Sequence, residues 1–378
     1  TDEEYYNGAF LGMVMGQSGI SKFSATELAK QLSGKSAYAS LGAGEYEHSV
    51  NAGGSPKDIE TILQLVYLNF TAPRFDETDL QNMKNMYVPY FKNMESDPNY
   101  IVGREFQKTM YGNHARQITS AAQIEALNIP TLQAIHSKLY GYADDFRFLI
   151  VGNVDLDTLK PLVEKYLGSL PTSKKVEYAV VDDGVRFVDG NVVNDFRTAM
   201  QQPKVSVRLV YSGDMENNAK NRMIVELLSR ALDSRYMISI REEKGGTYGV
   251  SVQGGIEKYP TEEYMMAIVF DTNEQLADEL VEICDKEIKK IAEEGPLAED
   301  VAKSKEFLQK NYNNVLENNG GWMSAITRWY EEGYNYKEEY LGVLESVTLE
   351  DVKAFAAKML EDGNRTLVVM RPEAADAE

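Results

Sequence analysis

The chain repeats itself at a spacing of about 220 residues, and this repeat restricts its possible folds more than any other feature. The segment "LNIPTLQAIHSKL" (127–139) aligns without a gap with "VTLEDVKAFAAKM" (347–359), an offset of 220. Each opens on an N-cap candidate, Asn128 or Thr348, followed by apolar residues at helical spacing. Each then leads into a short strand-like run, "FLIV" (148–151) and "LVVM" (367–370), at an offset of 219. Upstream, "DETDLQNMKNMY" (76–87) matches "LAEDVAKSKEFL" (297–308) at an offset of 221. Three segments sharing nearly one offset mark a duplication.

Within a copy the elements are of mixed type. Ser55, Pro56 and Asp58 open a helix whose stripe is Ile59, Ile62, Leu63, Val66, Tyr67 and Phe70. In the second copy "VSVRLVY" (205–211) alternates as a half-buried strand does, and Ile224, Leu227, Leu228, Ala231 and Leu232 form a helix face. "TYGVSVQGG" (247–255) and "YMMAIVFD" (264–271) read as two strands joined by a turn. Strands, then helices, then a closing strand predict an α+β fold of two homologous domains, each a mostly antiparallel sheet with helices packed on one face. The expected domains are 1–175 and 196–378, joined by a linker at 176–195 in a polar, turn-rich stretch. The second copy has strand material at 190–211 before its first helix, whereas the first starts almost directly in a helix at 3–19. Its opening strands are therefore expected to be missing.

Composition narrows the chemistry. A net charge of −20 over 378 residues argues against a nucleic-acid partner. No run approaches the roughly 20 apolar residues of a membrane span. Cys284 stands alone, which excludes an intramolecular disulfide and a cysteine-rich metal site; it reads as a small packed hydrophobe. The three histidines form no HxxEH, HxxxH or HxH pair. His136, aligned with Ala356, reads as a surface helix residue. His48 reads as a packed or surface residue of a strand-like run, and His114 lies in a loop with no visible partner. GxSxG, P-loop and GxGxxG patterns are absent, so the sequence shows no complete active site.

Two longer stretches carry a family likeness. "FLIVGNVDLDTLKPLVEKYLGSLPTS" (148–173) and "SRYMISIREEKGGTYGVSVQGG" (234–255) resemble segments of the insulinase/pitrilysin zinc metallopeptidases, peptidase family M16, with its LuxS-like fold. The resemblance extends over nearly the whole chain and is to the C-terminal half of such an enzyme, its third and fourth domains. It implies a molecule of four such domains, or two half-molecules, closing around a peptide. Zinc would sit in the first domain, on an inverted HxxEH motif and a downstream Glu, and the last domain would contribute an Arg and a Tyr.

Carried over residue by residue, those two are Arg241 and Tyr248, spaced by the turn Gly245-Gly246. The resemblance assigns them either to the developing oxyanion of the tetrahedral intermediate or to the substrate backbone. Taken alone, Arg241 reads as a helix C-terminal cation and Tyr248 as a sheet-packing residue. Aligning Gly19 with the glycine after the zinc motif places Phe10, Met13 and Val14 at its ligand and base positions, where they cannot bind metal. The resemblance thus implies no metal or cofactor in this chain, which alone would be inactive. Zinc and general base would come from an N-terminal half, covalent or separate, with peptides as substrates and a bacterial periplasm as the compartment. The alternative it leaves open is a non-catalytic partner or assembly subunit.

Overall fold

Helix α1 (Asp2–Ser18) begins at a reciprocal cap: the Thr1 hydroxyl accepts from the Glu4 amide while the Glu4 carboxylate reaches back to Thr1. The computed structural model describes residues 1–112, 119–173, 180–245, 247 and 249–373. These fall into two units, one of Thr1–Glu95 with Thr119–Val180 and the other of Ser96–Ile118 with Val181–Glu378.

In the first unit α1 is followed by α2 (Ala25–Gln31), the antiparallel pair β1 (Ala37–Ala43) and β2 (His48–Gly54), α3 (Ile59–Thr71) and α4 (Glu77–Met94). After α5 (Pro98–Tyr111), which belongs to the second unit, come α6 (Ala121–Ala126), α7 (Ile129–Tyr140) and α8 (Leu156–Tyr166). Leu11, Val14, Phe70, Leu80, Leu132 and Tyr140 form the core between them. The Tyr140 hydroxyl donates to the Gly42 carbonyl at 2.7 Å and so fastens α7 to β1.

The second unit holds the main sheet. It contains β3 (Asn191–Thr198), β4 (Val205–Asp214), α9 (Ala219–Tyr236), β5 (Val250–Glu257) and β6 (Glu263–Thr272). It continues through α10 (Ala277–Glu294), α11 (Ala298–Leu316), α12 (Asn319–Glu332), α13 (Tyr336–Ser346), α14 (Leu349–Asp362) and β7 (Asn364–Pro372). The strand order is β3-β7-β4-β6-β5, with β3 parallel to β7 and every other pair antiparallel. Alternate residues of one strand go to opposite faces. Leu367 and Val369 of β7 join the core under α9, α10 and α14, whereas Val368 and Met370 pack with Val102 of α5.

The α+β class holds, centred on one mixed sheet, and several expectations need correction. The described part of the first unit has a two-stranded sheet only, and the "FLIV" run at 148–151 pairs with no strand among the described residues. Helices do not lie on one face alone, because α5 covers the second face of the main sheet. For the same reason β4 is not half-buried: Ser206 is buried with its hydroxyl bonded to Asp271 at 2.7 Å, and Arg208 lies over the Phe106 ring. His136 is not a surface residue but is 3 % exposed, packed by Phe75 and Tyr140. Cys284 is fully buried, as its helical setting led one to expect. The repeat segments at 76–87 and 297–308 lie in α4 and α11, and those at 127–139 and 347–359 in α7 and α14.

Candidate functional site

The turn expected to carry the site is built by the end of α9. Asn218 caps the helix through the Asn221 amide, and Leu227, Leu228 and Leu232 bury its inner face completely. At the far end the Tyr236 hydroxyl donates to the Cys284 carbonyl at 3.0 Å and Arg235 pairs with Glu287. The helix then widens into one π turn, Met237–Glu242, the sort of local insertion that re-aims side chains and recurs at functional sites. Ile240 is the buried anchor of this turn, and Arg241, next to it, is exposed.

Arg241 has no carboxylate partner among the described residues; its Nη1 lies 3.1 Å from the Met237 sulfur. Its carbonyl accepts from the Gly245 amide at 3.1 Å. Gly245 has φ +61°, the left-handed region that a residue with a Cβ enters at a cost, so glycine is what lets the chain reverse here. Lys244 pairs with Glu279 at 2.6 Å. Past the turn, the Thr247 hydroxyl donates to the Gly249 carbonyl, and β5 starts at Val250 on the edge of the sheet. Gly246 and Tyr248 lie outside the described residues, as does His114. The structure therefore places Arg241 and Gly245 of the four expected site residues.

Of the three residues aligned with a zinc motif, Phe10 and Val14 are packing residues and Met13 is exposed. Phe10 and Val14 are 8 % and 0 % exposed within the first core, and Met13 carries no ligating atom suited to zinc. Among the described residues no group of three His, Cys, Asp or Glu side chains could hold a metal ion. His48 is held between the edges of the Tyr140 and Phe146 rings, with Asp145 at 3.6 Å. Burial lowers its pKa, and Asp145 partly offsets this.

Sequence reading missed an acidic cavity of about 170 Å³ in the second unit, lined among others by Ser212, Asp214 and Glu263. Its residues come from three strands, a helix and a loop, and nothing in their spacing joins them.

Residues 126–308 match the family model described as the Peptidase M16 inactive domain. A zinc protease PQQL-like protein of Arabidopsis thaliana is 25 % identical over 293 residues, covering 72 % of this chain and 30 % of that protein. The chain spans less than a third of the length of the curated relatives it matches. The crystal structure of the periplasmic protease PqqL from Escherichia coli superposes with a TM-score of 0.84 at 19 % identity, over 98 % of this chain and 42 % of that one. A peptidase M16 inactive domain from Pseudomonas fluorescens gives 0.80 at 19 % identity, over 100 % of this chain and 92 % of the other. None of the helices in the described residues is long and apolar enough to cross a membrane. Residues 126–308 thus carry an inactive, C-terminal-type M16 peptidase domain, and the chain is related to the PqqL-like zinc proteases.

Proposed function

We propose that this chain is the metal-free half of a peptide-hydrolysing enzyme, that it encloses peptide substrates, and that Arg241 and Tyr248 contact the substrate. The observation that carries the reading is the exposed Arg241 guanidinium without a carboxylate partner among the described residues, fixed by a buried anchor and a glycine turn ahead of an edge strand. By contrast, the fold-holding arginines Arg235, Arg365 and Arg371 each pair with a carboxylate.

On this reading the sequence copies 1–175 and 196–378 are diverged forms of one domain, with the connection at 176–195. Zinc and the general base come from an N-terminal half, in the same polypeptide or as a separate subunit. The contribution of this chain is electrostatic. A guanidinium and a phenol set beside the scissile carbonyl meet more charge in the tetrahedral intermediate than in the substrate, so they lower the barrier.

The test is turnover of an unstructured fluorogenic peptide by the assembled enzyme. Arg241→Ala and Tyr248→Phe should each lower kcat/KM by roughly 10²-fold with the assembly intact. If both variants turn over at the parental rate, Arg241 and Tyr248 are not substrate contacts and the scaffold reading replaces this one. Chelator-sensitive cleavage by chain 1–378 alone would sink the assignment of chemistry altogether.

A further inference from the structure

The acidic cavity of the second unit has the makings of a recognition site. Along β4, Tyr211 points toward α10, where its hydroxyl donates to Asp285, and Val210 points the other way, onto Met110 of α5. Alternation therefore sends Ser212 to the α5 side of the sheet, into the cavity whose wall is formed by Phe187, itself stacked on Tyr111. Ser212 is 4 % exposed, and its hydroxyl makes no hydrogen bond among the described residues. A buried hydroxyl left without a partner destabilises the fold, a penalty that a bound ligand removes.

The charges around it are unbalanced. Asp214 and Glu263 stand directly opposite each other in the β4–β6 pair, a like-charged arrangement that opposes folding. Asp189 joins them, and neither its carboxylate nor that of Asp214 has a hydrogen-bond or ion-pair partner among the described residues. Burial raises the Glu263 pKa, with Asp214 and Asp189 adding to the rise and the Thr261 hydroxyl and Arg186 opposing it. Arg186 is itself paired with Asp182 at 2.7 Å. Lys358 also lines the cavity, but both oxygens of Asp362 hold it at 2.9 Å, so that pair is neutral. Gly213 keeps this end open, since a Cβ there would fall 2.4 Å from Asp362 Oδ2.

These carboxylates form no group able to hold a metal ion. They suit an organic cation with several N–H donors. The geometry points to this cavity as the binding site for the cationic end of a lysine or arginine side chain of a bound peptide, its N–H groups shared among Asp189, Asp214, Glu263 and Ser212 Oγ. The inference does not depend on Arg241 or on a zinc-bearing half.

The test is calorimetric titration of chain 1–378 with n-butylammonium, n-butylguanidinium, the neutral n-pentanol and an acetyl-Gly-Lys-Gly amide. Both cations should saturate the site, the peptide should bind tighter than n-butylammonium, and n-pentanol should not bind. Glu263→Gln and, separately, Asp214→Asn should raise Kd about tenfold or more, with unchanged circular dichroism as the check on folding. Absence of cation binding, binding of n-pentanol as strong as that of the cations, or an unchanged Kd in both variants overturns the proposal. A peptide that binds no tighter than n-butylammonium overturns the peptide source in favour of a free amine. The titration needs no second half, so its failure leaves the role of Arg241 untouched.

Discussion

His136 Nε2 lies 2.7 Å from the carbonyl oxygen of Asn69, and both side chains are buried, at 3 % and 5 % exposure. The carbonyl belongs to the last turn of α3, where helix carbonyls lack an internal partner, and the neutral imidazole N–H supplies one. Burial holds the His136 pKa below the ordinary 6.5, and His48 is lowered for the same reason. The unfolded chain therefore takes up protons before the native one does. Stability should be constant above pH of about 6.5 and should fall as pH drops below it. Melting temperatures across this range check the sign, and His136→Gln, which keeps a donor but cannot titrate, should flatten part of the slope. A slope unchanged in that variant would place the proton uptake elsewhere.

Asp285 joins α10 to the sheet by accepting from Tyr211 at 2.6 Å and from two nitrogens of Arg365 at 2.9 and 3.2 Å. Removing it leaves a mostly buried guanidinium and a buried phenol without their acceptor. Asp285→Ala should cost about 1–3 kcal/mol in urea unfolding, and Tyr211→Phe, which orphans nothing charged, about 1 kcal/mol.

Leu232 is fully buried in the inner face of α9, between the sheet and the helix that leads to the Arg241 turn. Leu232→Ala should destabilise the second unit by about 2–5 kcal/mol. Hydrogen exchange should report this through faster exchange along α9 and β4, with α1 and α7 of the first unit unaffected.

Gly245 has a positive φ, and a Cβ added there would meet no atom of the described residues within 4 Å, so among these strain and not collision decides the effect of a side chain. Gly245→Ala should cost about 1–2 kcal/mol, confined to the turn. If Arg241 serves the substrate, turnover of the assembled enzyme should fall while the melting temperature moves only slightly; a large loss of melting temperature would mean the turn supports the fold instead.

Segment 96–118 supplies the helix that packs against Val368, Met370, Val210 and Ala267. Expressed as residues 181–378 alone, the second unit should expose those four and bind a hydrophobic dye. Adding a peptide of residues 96–112 should reduce the signal, and a Val102→Asp version of that peptide should not.

The sequence was most readable where one period ran for several turns. α4, α7, α11 and α14 each carry a stripe long enough to survive divergence, and Asn128 and Thr348 do cap their helices. What escaped was set by partners distant in the chain. The alternation of β4 gave no sign that α5 would cover its polar side, so Ser206 and Arg208 read as solvated. His136 was misplaced because a lone polar residue on a helix gives no hint of the carbonyl, 67 residues away, that it satisfies. Arg241 and Gly245 enter as site candidates through the family likeness of one contiguous stretch, 234–255. The Ser212, Asp214 and Glu263 cluster could not be found, because the β4–β6 register that brings it together is written in neither strand alone.

The placement of β7 has a consequence for how the protein is made. It lies between β3 and β4, although it is made after the other four strands of this sheet. While the chain emerges from the ribosome, β3 has no neighbour to pair with, β4 is bonded along one side only, and α5, made long before, waits for Val368 and Met370. Nothing short of translation through Pro372 can complete the sheet, so a nascent chain stalled in α14 holds half of the second unit's hydrogen-bond ladder open, exposed to whatever chaperone or protease reaches it first.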